Sequence, residues 1–308
     1  TKAGTDFRDV SATDLGRAAA VEAMARSKVE PAEIDQAIFG NIATPPDAAN
    51  IGRVIALRAG VPKEKPAHSV SRNCASGIES VVQAARLIQT GEADVVLAGG
   101  VESMSLIPFL YREKVKAVLV EAGMAKSAGA RLGAFKKMPW GELLNPVIGI
   151  KLGLTDPVCG LNMGETAELL AKEGGITREM QDAFALKSHQ RAQASREKLA
   201  EEIVPVPVPP KFDKVATLDN GVREGQTMEA LAKLKPFFDR AYGSVTAGNS
   251  SQITDGAAAM VVASEEFVAK RGLPVLGRIA GWGVAGLEPE RMGLGPSRST
   301  PVALKHAG

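Results

Sequence analysis

The chain has 308 residues, and its 37 basic side chains nearly cancel its 35 acidic ones, so no global field marks it for polyanions or for steering acidic substrates. Aromatics at 4% and frequent glycine and proline suit tight α/β turns better than an aromatic-stacking nucleic-acid binder. Two cysteines cannot form a disulfide framework, which points to a reducing compartment; no apolar run approaches a membrane span, and the opening residues do not read as a signal peptide.

At about 150 residues per domain, two domains are expected. Residues 11–27 read as a helix with Leu15, Ala18, Ala19 and Met24 on its buried side, and Pro31 opens a short helical turn before a strand at Ala37, Ile38 and Phe39. Asn50 can cap the next helix, with Ile51, Val54, Ile55 and Ala59 roughly on one face and Gly60 beyond its end. A short strand from Ser69 then leads to Cys74, which sits at the turn into a helix. Its apolar positions Ile78, Val81, Val82, Ala85 and Ile88 recur at spacings of three and four and should face a core. Gly91 stops that helix, and the apolar run 94–98 is a strand buried on both faces.

Between Phe109 and Gly160 the alternation is lost, and the segment reads as an insertion. From Tyr111 to Lys151 it carries eight Lys or Arg against three Glu, with Val115, Val118 and Leu119 as an apolar strip beside Arg112 and Lys116. That pattern fits either a solvated helical insertion or a helix that docks on a partner or membrane surface. Asn162 with Glu165 suggests a capping box, Thr177 caps a helix running to about Glu201, and the Val-Pro alternation of 203–208 restricts it to an edge strand or connector. The loop from Ala247 to Ser251 leads into a buried strand at 257–262. Ser264 caps a helix ended by Gly272, and a strand at 275–280 and a helix from about Thr300 repeat the opening order of the chain. Strand and helix alternating in this way define an α/β protein.

A helix N-terminus favours a thiolate, small neighbours at Ala75, Ser76 and Gly77 leave room for a substrate, and backbone N–H groups at such a turn can bind an oxyanion. Spacing alone leaves a reactive Cys74 and an inert buried one equally open. The histidines, His68, His189 and His306, show no metal-ligand spacing with cysteines or carboxylates, and there is no Walker A loop, dinucleotide fingerprint or EF-hand pattern.

NCASG, the following helix and LAGGVESMS closely resemble the nucleophile segment of the thiolase family. MGETAELLAKE, LAKLKPFFDR, VTAGNSSQITDGAAAM and GLGPSRSTPVALKHAG resemble further thiolase segments in thiolase order, so the likeness spans nearly the whole chain. The resemblance implies a five-layered α/β/α/β/α fold of duplicated mixed-sheet halves. Its first domain would occupy 1–108, a loop domain 109–244, a returning segment of the first domain 245–270, and the start of the second half 271–308. It implies Cys74 as the acyl-carrying nucleophile and contacts to coenzyme A, as substrate rather than bound cofactor, at Met163, Phe238, Ala247, Gly248 and Ser251. The catalytic histidine and second cysteine are expected beyond Gly308, within a longer chain, and Cys159 is a loop or structural thiol. Asn162 stands where many thiolases place a histidine, a departure that touches acyl-chain preference.

The implied activity is 3-ketoacyl-CoA thiolysis in β-oxidation, with an acetoacetyl-CoA thiolase or other condensing enzyme of the same fold, and a catalytically silent acyl-CoA or lipid carrier, as alternatives. A homodimer or tetramer is expected, without nucleic acid. The long insertion resembles that of the thiolase subunit of the fatty-acid oxidation trifunctional complex, which adds a hydratase and dehydrogenase subunit and peripheral membrane contact as expected partners. The place would be the cytoplasm in a bacterium, and the mitochondrial matrix or inner-membrane surface in a eukaryote.

Overall fold

The computed structural model describes residues 1–308. They fall into two compact units, Thr1–Leu106 with Gly164–Gly308, and Ile107–Met163.

The first unit opens with helix α1 (Ala12–Ser27), capped by the Ser11 side chain, which accepts from Asp14 N. A 3-10 turn at Pro31–Glu33 leads to β1 (Gln36–Gly40), then α2 (Ile51–Arg58), capped by Asn50, β2 (Ala67–Val70), α3 (Ser76–Gln89) and β3 (Val95–Ser103). Gly91 takes the left-handed conformation (φ 73°) that closes α3, as its position in the sequence required.

The second unit holds β4 (Phe109–Leu110), α4 (Glu113–Met124), α5 (Ala128–Phe135), α6 (Trp140–Leu143), β5 (Val147–Ile148) and α7 (Gly149–Gly153), with β4 and β5 paired antiparallel. Val115, Val118 and Met138 form its small core, with Leu143 packed on them. Two residues of the apolar strip of α4, Val115 and Val118, are thus turned inward and covered by their own unit, while the third, Leu119, stays 37% exposed. No helix in the chain is long and apolar enough to cross a membrane.

The chain continues through α8 (Met163–Glu173), α9 (Arg178–Ala194) and α10 (Arg196–Glu202), the antiparallel pair β6 (Val206–Val208) and β7 (Lys214–Ala216), and α11 (Met228–Ala232). It ends with β8 (Asp255–Ala263), α12 (Glu265–Arg271) and α13 (Gly295–Ala307). Thr177 caps α9 as expected, but the single helix read to about Glu201 is broken at Ser195. Residues 164–244, grouped with the insertion in the sequence reading, cluster with the first unit; only 107–163 stand apart. The physical reason is the buried face of α8, whose Gly164, Thr166, Glu168 and Ala171 are covered.

The central sheet has the order β2-β1-β3-β8, with β1 parallel to both its neighbours and β8 antiparallel to β3. Side chains alternate across it. Ala37, Phe39, Val95 and Leu97 face α1 and α2, in a core with Leu15, Met24, Ile51 and Ile55, while Ile38, Val96 and Ala98 face α3 with Ala84. Each fully buried Phe, Ile or Leu here contributes about 1.5–3 kcal/mol relative to exposure. Helices on both faces explain why 94–98 carries no polar alternation.

Two strand readings are corrected. β8 is the last strand of the sheet; on its outer side only its first residue, Asp255, is bonded, to Thr1, and Met260 is half exposed, so the 257–262 run is not fully buried. Residues 275–280 are unpaired, with Leu276 fully exposed, since no strand lies beside them to complete a ladder; α13 begins at Gly295 rather than near Thr300.

Candidate active site

Chain direction reverses about β1. The path goes from β1 to β2 on one side, then through α3 to β3 on the other, which makes a crevice at the C-terminal edge of the parallel strands, the usual ligand position in open α/β sheets. The α3 N-terminus comes very close to the sheet there. A Cβ on Gly40 would overlap the Ser76 carbonyl and stand 2.6 Å from Gly77 N, and one on Gly100 would lie 3.1 Å from Gly77 Cα. Ser80 Oγ lies 2.7 Å from the Gly77 carbonyl and 2.8 Å from the Gly99 carbonyl, donating between them. Small and polar residues therefore fill the first turns of α3. Ile78, expected on the buried stripe, is 71% exposed instead.

Cys74 is a free, exposed thiol in the turn that enters α3. Asn73, just before it, takes a left-handed backbone (φ 46°), which asparagine tolerates better than most residues. The turn is tied at several points: Ser76 Oγ donates to the Asn73 carbonyl (2.7 Å) and accepts from Arg72 N (2.8 Å), and Ala75 N donates to the Arg72 carbonyl (3.0 Å). Arg72 Nε reaches the buried Glu79 carboxylate at 2.8 Å. Burial by itself would raise the Glu79 carboxyl, but the Gln83 and Arg72 hydrogen bonds, with the charges of Arg72 and Arg86, hold it below its ordinary value. The N-cap of α3 is Ala75, with no side-chain cap, while α1, α2, α9, α11 and α12 are each capped by a side chain. Space is open at Gly77. An exposed thiol beside an uncapped helix N-terminus can attack a carbonyl and offer backbone N–H groups to the oxyanion.

Nearby on the same edge, Glu102 accepts from Ile42 N (3.0 Å), Ala43 N (2.8 Å) and Asn41 Nδ2 (2.8 Å). Burial pushes its carboxyl above the ordinary value, and the Ala43 and Ile42 N–H groups only partly offset this. Together they fix the loop after β1.

The residues expected to contact coenzyme A are spread over α8, the segment after α11 and the loop before β8. Met163 is the first residue of α8. Phe238 lies against the next residue, since a Cβ on Gly164 would overlap its ring, and it meets Phe237 edge-on at 5.0 Å. In the loop before β8, Ala247 and Ser251 are exposed, while Gly248 is buried against Leu231 and Leu234. This loop enters β8 at Asp255, which pairs with Ser103 at the end of β3, so it reaches the same sheet edge as Cys74.

None of the histidines is tied to the nucleophile. His68 is bracketed by Gln36 and Gln83, His189 faces Arg223 N, and His306 faces Trp282. Cys159 lies in a turn whose Asp156 carboxylate accepts from its N–H at 2.9 Å, as befits a loop thiol. No group of histidines, cysteines and carboxylates is arranged to hold a metal ion. The sequence reading missed Asn73, Glu79, Glu102 and Glu168. Two signals were available: asparagine ahead of the cysteine suits a left-handed turn, and Glu168 falls on the stripe of α8 that also carries Gly164 and Ala171.

A solvent-open thiol on the N-terminus of a buried helix, at the C-terminal edge of a doubly wound sheet, places the chain among cysteine-dependent acyl-transfer domains. Residues 1–266 match the family described as the N-terminal domain of thiolase, and the chain belongs to the thiolase family of acyltransferases. It is 39% identical over 310 aligned positions to the 3-ketoacyl-CoA thiolase of Shewanella pealeana, covering 100% of this chain and 70% of that protein. The 3-ketoacyl-CoA thiolase of Yersinia enterocolitica is 40% identical with the same coverage. Among solved structures, human mitochondrial 3-ketoacyl-CoA thiolase in complex with CoA superposes with a TM-score of 0.86 at 36% identity, over 100% of this chain and 72% of that one. The acetyl-CoA acetyltransferase of Bacillus anthracis gives 0.86 at 35% identity, over 99% and 73%. The thiolase fold expected from the sequence motifs is the fold found.

Proposed function

We propose that this protein is a 3-ketoacyl-CoA thiolase that cleaves 3-ketoacyl-CoA with coenzyme A to acetyl-CoA and a shortened acyl-CoA, a reaction of fatty-acid β-oxidation. The observation that carries this reading is Cys74, exposed at the uncapped N-terminus of α3 behind the left-handed Asn73. The Cys74 thiolate attacks the 3-keto carbonyl, and the oxyanion forms beside backbone N–H groups of the turn. Collapse breaks the C2–C3 bond. The acyl group stays on Cys74 as a thioester, and the enolate of acetyl-CoA takes a proton and departs. Coenzyme A, whose thiol proton balances the one taken up by the enolate, then attacks the Cys74 thioester as its thiolate and frees the Cys74 thiolate that began the cycle. Proton transfer is not assigned to His68, His189 or His306, whose partners lie elsewhere.

Thiolysis of acetoacetyl-CoA and of longer 3-ketoacyl-CoA, measured with intact-mass detection of the acyl-enzyme, tests this reading. Cys74→Ala should remove both turnover and the acyl adduct, and Cys159→Ala should leave both in place. Turnover retained in Cys74→Ala would remove the assignment.

Oligomerisation and a hydratase and dehydrogenase partner belong to the same reading and rest on the resemblance of the insertion to that of a complex-forming thiolase. Exposed Trp140, Leu144 and Met124 in the 107–163 unit supply apolar contact area for such a partner. Pull-down from native extract should recover that subunit, and a lone homodimer would count against it.

A further inference from the structure

We infer that Glu168 is the positioning residue of the coenzyme A loop, a role that rests on the thiolase reading above. Glu168 lies on α8, is 4% exposed, and faces the start of the loop. Its carboxylate accepts from Ser244 N at 3.0 Å and 2.9 Å to its two oxygens, from Ser244 Oγ at 3.1 Å, and from Val245 N at 2.8 Å. Those two backbone N–H groups point into the protein where no strand or helix supplies an acceptor. A buried N–H left unpaired is strongly unfavourable, so an apolar residue in the α8 stripe would not serve.

The rest of the loop hangs from this anchor. Asn249 Oδ1 accepts from Thr246 N (2.7 Å), and its Nδ2 donates to the Ser244 carbonyl (3.0 Å) and to Asp182 Oδ1 (2.9 Å). Asp182 is 2% exposed and held by Arg178 at 2.7 Å. Gln181 of α9 also donates to Ser244 Oγ (2.8 Å), so the exposed Ala247 and Ser251 are carried on a loop fixed at its entrance by α8 and α9 and in its middle by α9. Glu168 bonds to neither of them, so it acts on bound coenzyme A only by setting where the loop stands.

Protection of Cys74 from iodoacetamide by coenzyme A reads this directly, because the coenzyme A thiol must reach the Cys74 thioester. In Glu168→Gln one acceptor oxygen becomes an amide facing the Ser244 N–H, and the coenzyme A concentration giving half-protection should rise about tenfold. Ser244→Ala, which keeps the backbone and removes the hydroxyl that donates to Glu168 and accepts from Gln181 Nε2 (2.8 Å), should shift it about threefold. The alkylation rate without coenzyme A should match wild type in both variants. Protection of both variants at the wild-type concentration overturns the role of Glu168 while leaving the thiolase reading intact. Unprotected alkylation altered as much as protection also overturns it, since the effect would then be general. If Glu168→Gln does not fold, Ser244→Ala decides together with Gln181→Ala, which removes only the α9 contact to the Ser244 hydroxyl and should leave half-protection at the wild-type concentration; an equal shift in both variants overturns the role of Glu168. Wild-type protein that coenzyme A does not protect at all sinks the thiolase reading itself.

Discussion

Gly40 in β1 and Ser76 in the first turn of α3 touch backbone to backbone, so that a single Cβ on Gly40 would overlap the Ser76 carbonyl. This contact sets how closely the nucleophile helix approaches the sheet, and therefore where Cys74 stands over the C-terminal edge of β1 and β3.

Gly40→Ala should push α3 outward. Overpacking of this kind costs about 1–3 kcal/mol, and the Cys74 turn must move with the helix. Urea denaturation should show a lowered midpoint with an unchanged slope, and iodoacetamide should alkylate Cys74 at an altered rate. A variant with wild-type midpoint and rate would mean that α3 is not seated on Gly40.

Much of this architecture was legible because apolar patterning and caps are local signals. Asn50, Thr177 and Ser264 cap the helices that their positions in the sequence indicated, and Gly91 and Gly272 close theirs with positive φ. Packing direction was less legible. Ile78 sits at a helical spacing that reads as core, yet it points to solvent because Gly40 and Gly100 let the serine and glycine side of α3 close onto the sheet. The strip of Val115, Val118 and Leu119 fits a solvated insertion or a docking helix equally by spacing, and only the folded unit shows that Val115 and Val118 cover Met138. Cys74 was found through its motif. Glu79 and Glu168, which support the nucleophile turn and the loop, were not, because the Arg72 and Gln83 side chains that meet Glu79 and the Ser244 and Val245 N–H groups that meet Glu168 are brought to them only by the folded chain.

Asn73 supplies a second test of the nucleophile turn. With φ at 46°, Asn73→Gly should change stability by less than about 0.5 kcal/mol. Asn73→Val forces a β-branched side chain into the left-handed region and should cost about 1–3 kcal/mol. The valine variant should also lose most acyl-enzyme formation, read by intact mass after mixing with 3-ketoacyl-CoA. Equal stability of the two variants would show that the left-handed turn is not what the position requires.

Glu79 makes a prediction about acid. Its carboxyl lies below the ordinary value in the folded protein, so between the folded and unfolded values the unfolded chain binds more protons. The stabilisation is therefore complete above the unfolded carboxyl value, about 4.3, and is lost as the pH falls through the lower folded value. Glu79→Gln should be less stable than wild type at pH 7, and the gap should close on acidification. Urea midpoints of both proteins from pH 7 to pH 3 measure it. A gap that stays constant down to pH 3 would exclude a charged Glu79 as the partner of Arg72.

Gly164 and Phe238 make the last prediction, which separates a local clash from a helix preference. Gly164 is in the first turn of α8, where alanine would ordinarily be favoured by about 1 kcal/mol. Here a Cβ would overlap the Phe238 ring, and that ring is held edge-on by Phe237, whose N–H donates to the Val245 carbonyl at 3.0 Å. Moving Phe238 therefore disturbs the start of the coenzyme A loop. Gly164→Ala should be destabilised by about 1–3 kcal/mol, with a raised KM for coenzyme A and an unchanged rate of Cys74 alkylation in its absence. Phe238→Ala removes the obstacle, so adding Gly164→Ala to it should be neutral or stabilising by up to about 1 kcal/mol. The coupling between the two sites is the decisive quantity. Strictly additive effects in a double-mutant cycle would show that the ring does not rest on Gly164, and the path from α8 to the loop would then run through Glu168 and through the Lys172–Asp239 ion pair (2.8 Å) just ahead of the loop.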